Sequence, residues 1–495
     1  MLSEKLSIII IFVLYLLFMV GIGAIYYRKT ANLSDYILGG RKLNSWVTAL
    51  SSQASDMSGW LLLGLPGYAY VAGMESIWIA VGLALGTYLN WKFVARRLRK
   101  YTQVAGDAIT IPVYLENRFR DQSKALRIIS ALLILVFFLF YTSSGLVAGG
   151  KLFSTVFDMP YTTALTIGTF VVITYTFLGG FMAVCWTDFF QGMLMLFAIA
   201  VVPITAMRNA GGYSSTVDII RSIDPQLLNP FTSSGGDLIS LVAIVSLLAW
   251  GLGYFGQPHI LVRFMAIQHS DQIKQARLIA MIWVVISLAF SVFVGITGMA
   301  LFPGVLDGAS SETIFMLMVN ELFHPLLAGL LLAAILAAIM STADSQLLVS
   351  ASAFTEDIYR LLFKQDASEK ELVWMGRLAV VLVSVVAYYL ALDPESSVLD
   401  LVSYAWAGFG AAFGPTILFS LFWKKMTKNA ALGGLISGGL MVIIWKQLSG
   451  GIFDLYEIVP GFALSCIVII LITMLEKEPS NEIMEEFDRV AIADV

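Results

Sequence analysis

The sequence predicts an all-α integral membrane protein, a single domain over 1–495 with about thirteen transmembrane helices, and three observations support this. Of its 495 residues, 58% are hydrophobic and 13% charged. The mean hydropathy is +0.83, and a soluble core cannot use so much apolar surface. Runs such as LSIIIIFVLYLLFMVGIGAIYY (6–27) have about the ~20 residues that cross ~30 Å of hydrocarbon as a helix.

The first run, 6–27, is too long for the apolar core of a signal peptide and lacks a strongly basic start, so it reads as a retained span. Further apolar runs between charged loops fall near 46–71, 75–95, 128–155, 160–182, 186–206, 238–265, 274–302, 325–358, 371–392, 398–423, 430–448 and 455–475. The ninth, 325–358, is longer than a bilayer requires. Orientation follows from Lys and Arg, because short loops rich in them stay cytoplasmic. With the N-terminus outside, the clusters Arg28/Lys29/Arg41/Lys42, Arg96/Arg97/Arg99/Lys100, Arg118/Arg120/Lys124/Arg127, Lys274/Arg277 and Lys424/Lys425/Lys428 all fall inside. Lys5, Lys151, Arg208, Arg221 and Lys446 are left outside. An odd number of spans then puts the acidic tail, 476–495, in the cytoplasm as a short flexible end.

Several function classes find no support in the composition. Cys185 and Cys466 lie far apart in apolar segments and offer neither a disulfide framework nor a metal cluster. His259, His269 and His324 are too scattered for a transition-metal site. No nucleotide-binding loop of the GxxxxGK[ST] type occurs, no nucleophile–base pair stands out to make the chain an enzyme, and a net charge of −4 points to no nucleic-acid partner. No obligate protein partner is expected either; the lipid bilayer is the surrounding medium.

Two apolar segments are interrupted. SSQASDMSG (51–59) divides the second, and AWGLGYFGQPHI (249–260), with three glycines and a proline, weakens the seventh. Paired interruptions of this kind point to the binding site of an inverted-repeat transporter. Irregular backbone at membrane depth is tolerated only where it is buried in protein or lines a cavity. Asp56, a carboxylate costing roughly 2.5–3.5 kcal/mol at mid-membrane, is therefore a functional candidate. The plainer alternative is a solvated hinge at the end of the span.

In the ninth run, AILAAIMSTADSQLLVSAS places Ser341 and Thr342 in a strongly apolar helix. Their hydroxyls either bond back to the Ala338 carbonyl or, with it, offer oxygens to a hard cation. Carbonyls of Ala54 and Met57 from the interrupted second run would complete a five-oxygen shell suited to Na+. Trp250, Tyr254 and Pro258 stand at i, i+4 and i+8, either as packing or as the wall of a pocket for a small ring and a cationic amine. A free N–H near Ser58 and Gly59 would receive a carboxylate, and a small amino acid fits the combination. Asp188 either pairs with a loop arginine or lies on the exit route of an ion.

Across these residues the chain resembles the sodium:solute symporter family. The resemblance runs through SDYILGGRKL (34–43), ASDMSGW (54–60), ITIPVYLENRF (109–119), YTFLGGFMAVCWTDFFQG (175–192), AWGLGYFGQPHILVRFMA (249–266) and MSTADSQLLVSAS (340–352). It implies a LeuT-like core of two inverted five-helix repeats, 46–206 and 238–423, with one helix before and two after. It also implies sodium-coupled symport of L-proline across the bacterial inner membrane by alternating access. Na+ ligands then fall on Ala54, Met57, Ala338, Ser341 and Thr342, and solute contacts on Ser58, Gly59, Tyr141, Trp250, Tyr254 and Pro258. Arg41, Asp56 and Asp188 fall at coupling or ion-route positions. Some relatives place a second ion between a serine pair and the Asp188 position; here the sequence Thr342-Ala343-Asp344-Ser345 favours one Na+ per solute. The rivals are the same fold with another small solute, and a sensor that binds solute without moving it.

Overall fold

The structure is a computed structural model that describes residues 2–27, 33–178, 180–233 and 235–492. Arg28 and Lys29 of the first basic cluster lie outside the described residues. Within them, regular structure is helical apart from two isolated β-bridges, Leu43 with Ile267 and Thr232 with Leu238. The α-helices run α1 (Leu2–Tyr27), α2 (Leu33–Leu38), α3 (Ser45–Asp56), α4 (Gly59–Leu62), α5 (Gly64–Ala72), α6 (Ile77–Leu89), α7 (Ala95–Val104), α8 (Ile111–Phe119), α9 (Ala125–Phe157), α10 (Tyr161–Leu178) and α11 (Phe181–Asn209). They continue as α12 (Tyr213–Ile223), α13 (Leu241–Leu248), α14 (Pro258–Ala266), α15 (Ile273–Leu301), α16 (Ile314–Leu322), α17 (Pro325–Ser352), α18 (Glu369–Leu390), α19 (Val398–Phe422), α20 (Lys428–Trp445), α21 (Ile458–Leu475) and α22 (Asn481–Ile492).

Among the described residues, ten helices are long and apolar enough to cross a membrane. The number is eleven if Leu241–Gly256 and Pro258–Ala266, bent by 45° at their junction, make one span. The sequence reading of thirteen differs in two places: it divides the stretch Gly59–Val104, continuous by this measure, between two runs, and it counts 160–182, where α10 (Tyr161–Leu178) is not among the spans that pass. Local chemistry sets many of the helix starts. Asn44, Ser58, Thr110, Ser240, Ser368, Ser397 and Thr427 each accept a backbone N–H from the first turn that follows, satisfying donors that a helix N-terminus leaves open.

The helices form one bundle around α17. From Leu331 to Ser352 nearly every residue of α17 is buried, and α3, α9 and α11 pack against it. At the periphery, Leu14, Leu17 and Phe18 of α1 and Leu278 and Ile282 of α15 are exposed, the pattern of helices whose outer face meets lipid.

Glycine permits one backbone contact that matters for the site. A Cβ on Gly86 would lie 2.1 Å from the Gly251 carbonyl oxygen, and one on Gly251 would lie 2.2 Å from the Gly82 carbonyl oxygen. The 3-10 segment Ala249–Gly256 thus lies directly on α6, closer than any side chain would allow.

The tail departs from expectation. Instead of a flexible end, residues 481–492 form α22, docked under α7. Its apolar positions Ile483, Phe487 and Val490 recur at helical spacing, and Phe487 lies under the guanidinium groups of Arg97 and Arg118 at 5.0 and 5.3 Å. Asp488 pairs with Lys424 at 2.5 Å, and Arg120 bonds Glu482. An acidic amphipathic stripe facing basic loops orders a segment that composition alone reads as loose.

Candidate ion and solute site

The interrupted second segment breaks at Met57 and Ser58. Asp56 ends α3, Met57 leaves helical geometry with φ −79° and ψ 70°, and Ser58 caps α4. Both Asp56 and Met57 are fully buried. The Ser58 N–H, expected to be free, instead donates to the Asp56 carbonyl at 2.9 Å. The patch is therefore a buried helix break and not a solvated hinge.

Facing it, α17 brings Ser341 and Thr342 to the end of α3. Ser341 Oγ donates to the Ala54 carbonyl at 2.8 Å and lies 3.3 Å from the Ala338 carbonyl, while Thr342 Oγ1 lies 3.4 Å from Ala54 O. Back-bonding to Ala338 and a cross-helix contact thus coexist. Four hard oxygens from two helices converge, with Met57 at the adjoining break. A hard cation takes oxygens at about 2.3–2.6 Å, which sets them roughly 3–3.7 Å apart around it. The observed separations are close to this range.

The seventh segment does not remain one α-helix. It runs α13, the 3-10 segment Ala249–Gly256, an extended Gln257 and then α14. Trp250, Tyr254 and Pro258 therefore do not share a face. Trp250 lies 6.3 Å from the Trp60 ring and stacks on Tyr456 at 5.5 Å. Tyr254 donates to Asp56 Oδ2 at 2.5 Å and meets Trp406 edge-on. Pro258 opens α14 and lines a separate recess with Val262, Val349 and Asp357. From α9, Tyr141 donates to the Asp56 carbonyl at 3.1 Å, as does Trp60 Nε1. Gly59 abuts α9, where a Cβ would come 2.8 Å from Ala148 Cβ.

Asp188 does not pair with a loop arginine. Its carboxylate accepts from Ser51 Oγ at 2.7 Å and from Arg263 Nη2 at 3.2 Å, with both charged side chains buried. Arg263 also bonds Ser345 Oγ and donates to Ser51 Oγ at 3.1 Å and the His259 carbonyl at 2.7 Å. Sequence reasoning missed Arg263. A signal was present, since a guanidinium inside an apolar run needs a buried partner.

Arg41 lies at one end of this assembly, away from the oxygens. It holds a left-handed φ of 55°, uncommon outside glycine. Its guanidinium donates to Met265 O at 2.7 Å, Ala108 O at 2.9 Å and Asp107 Oδ1 at 3.0 Å. Burial pushes its pKa down, opposed by Asp107. Beside it Leu43 N–H donates to Ala266 O, and Gln268 N–H donates to Leu43 O. The start of α3 and the end of α14 are tied together there.

Two interrupted segments meeting around buried oxygens and aromatic rings, inside a helical membrane bundle, define a secondary transporter. Solved structures share the fold. A Na+-coupled sialic acid symporter in a substrate-bound outward-open state aligns over 96% of this chain and 99% of its own, with a TM-score of 0.79 at 20% identity. A nucleobase-cation-symport-1 family transporter aligns over 93% and 100%, with a TM-score of 0.56 at 13% identity.

Residues 36–438 match the family model of the Sodium:solute symporter family. The chain belongs to that family. It is 52% identical to the high-affinity proline transporter PutP of Bacillus subtilis (strain 168), over 94% of this chain and 98% of that one. It is 49% identical to the sodium/proline symporter of Escherichia coli (strain K12), over 97% and 95%.

Proposed function

We propose that the chain is a symporter that carries L-proline inward with one Na+ by alternating access, across a bacterial inner membrane. The observation behind this reading is the convergence of Ala54, Ala338, Ser341 and Thr342 oxygens beside the break that also carries Asp56. The identity to proline transporters of about half the residues supports the solute.

In this reading Na+ takes the carbonyls of Ala54, Met57 and Ala338 and the hydroxyls of Ser341 and Thr342. It bridges α3 to α17 and fixes the break. Proline lies between the break at Ser58 and Gly59 and the rings of Tyr141, Trp250 and Tyr254; Pro258, the remaining solute position of this reading, lines the separate recess. Because the ion orders backbone that the solute needs, each ligand raises the other's affinity. Asp56 and Asp188 carry charge along the ion route, and Arg41 couples the inner ends of α3 and α14. Arg263 already sets a fixed cation between Asp188 and Ser345, which supports one ion per solute.

The topology proposed is thirteen spans, with inverted repeats over 46–206 and 238–423, the N-terminus outside and the C-terminus cytoplasmic. At ~100 mV, one charge supplies ~2.3 kcal/mol, and a tenfold sodium gradient adds ~1.4 kcal/mol. Together they limit accumulation of a neutral zwitterion to roughly 500-fold.

The test is uptake of labelled L-proline into proteoliposomes under an inward Na+ gradient, against K+ on both sides. Accumulation with sodium alone is expected. Binding without net uptake would make the protein a sensor, and sodium-driven uptake of a different solute in a competition panel would replace proline.

A further inference from the structure

We propose that a recess between the start of α15 and the segment Asn90–Val94 that joins α6 to α7, outside the transport site, binds the headgroup of an anionic phospholipid. The cavity, ≈ 400 Å³, is lined by Lys92, Arg96, Lys274 and Arg277, with Asp271 as its acidic side chain. This volume falls within the ~300–1,000 Å³ of small-ligand sites. Asp271 pairs with Arg96 at 3.3 Å, so the recess keeps an excess of positive charge.

Two of the other cations, Lys92 and Arg277, share one aromatic ring. Lys92 Nζ lies 5.5 Å from the Tyr88 ring centroid, and the Arg277 guanidinium carbon lies 5.7 Å from the same centroid. Two like charges sharing one ring repel each other. An anion seated between them relieves that repulsion, and a phosphodiester offers it at the membrane surface, where basic pockets between spanning helices take such headgroups.

The surroundings select a lipid over free phosphate. From the recess, exposed Leu85 and Leu89 continue along α6, and exposed Leu278 and Ile282 continue along α15. Acyl chains attached to the headgroup would lie on these residues. Free phosphate makes no use of them. Assigning the lipid to the cytoplasmic leaflet rests on the topology proposed above; the headgroup site itself does not.

The experiment is native mass spectrometry of the full-length protein in mild detergent, titrated with dioleoyl-phosphatidylglycerol or dioleoyl-phosphatidylcholine. The first phosphatidylglycerol is expected to bind on the order of tenfold more tightly than phosphatidylcholine. Lys274→Gln combined with Arg277→Gln weakens it by about fivefold per charge removed. Unchanged binding in that double variant overturns the proposal. So does equal binding of the two lipids, or displacement of phosphatidylglycerol by excess inorganic phosphate. If thermal unfolding finds the double variant damaged, Lys92→Gln, at an exposed side chain, is read in its place with the same fivefold expectation. Labelling of Lys274→Cys from outside intact cells would overturn the leaflet and the topology, while the lipid preference in detergent still decides the site.

Discussion

Tyr254 donates its hydroxyl to Asp56 Oδ2 at 2.5 Å, joining two chain breaks that are 198 residues apart in sequence. The other carboxylate oxygen, Oδ1, is buried and has no hydrogen-bond partner among the described residues. Removing the donor by Tyr254→Phe therefore leaves a buried carboxylate without its side-chain partner, at a cost of about 1–3 kcal/mol. We expect half-saturation by proline to rise roughly tenfold, with sodium affected less. Uptake kinetics measured against each ligand separate the two, and equal losses would point to a damaged fold.

Trp250→Ala removes a ring stacked on Tyr456 and close to Trp60. The predicted effect is weaker proline binding by about tenfold or more, with the sodium dependence nearly kept. Equilibrium binding of labelled proline at fixed sodium checks this, and unchanged affinity would remove Trp250 from the solute site.

Ser341→Ala and Thr342→Ala each delete one oxygen. Ser341 makes the shorter contact to Ala54, 2.8 Å against 3.4 Å. Its loss should raise the sodium needed for half-maximal uptake by about tenfold, and the loss of Thr342 by somewhat less. A sodium titration of proline uptake reads both. Sodium dependence unaltered in the two variants would dismantle the proposed ion site.

Arg263 and Asp188 form a buried ion pair, and breaking one partner of such a pair costs about 3–5 kcal/mol. Arg263→Leu or Asp188→Leu alone should lower the midpoint of thermal unfolding in detergent more than the two combined. A double variant as unstable as the sum of the singles would mean the two side chains act independently.

Phe487→Ala tests the docked tail. Burying a phenylalanine side chain contributes about 1.5–3 kcal/mol, and Phe487 is 6% exposed. We expect earlier unfolding and faster proteolysis near residue 480 than in the parent chain. Equal protease resistance would mean α22 does not need this anchor.

Apolar runs made the bundle legible, because a helix in lipid must be both continuous and apolar. The two breaks were legible for the converse reason: polar residues at Ser51–Asp56 and glycines at 251, 253 and 256 are costly in lipid unless they are needed. Proximity was harder to read. Ser341 and Thr342 could be paired with Ala54 through the family resemblance, whereas the Arg263–Asp188 pair depends on α11 and α14 both packing against α3 at Ser51, which no spacing in the sequence encodes. Even spacing at 250, 254 and 258 misled, since the 3-10 turn and the extended Gln257 rotate the three side chains apart. The tail was misjudged because its net acidity hid a short apolar stripe whose counterpart lies in distant loops.

The seam of Gly82, Gly86 and Gly251 has a mechanical consequence. Interlocking side chains hold two helices in register like gear teeth, and sliding must lift one over the next. Backbone resting on backbone has no such teeth, so the segment 249–256 can roll against α6 as a shaft rolls in a plain bearing. A single methyl at Gly86, 2.1 Å from the Gly251 carbonyl oxygen, would lift the shaft off its bearing. The expected signature of Gly86→Ala is therefore weaker proline binding as well as slower turnover, because Trp250 and Tyr254 ride on the displaced segment; parental affinity and rate would show that the two backbones need no such closeness.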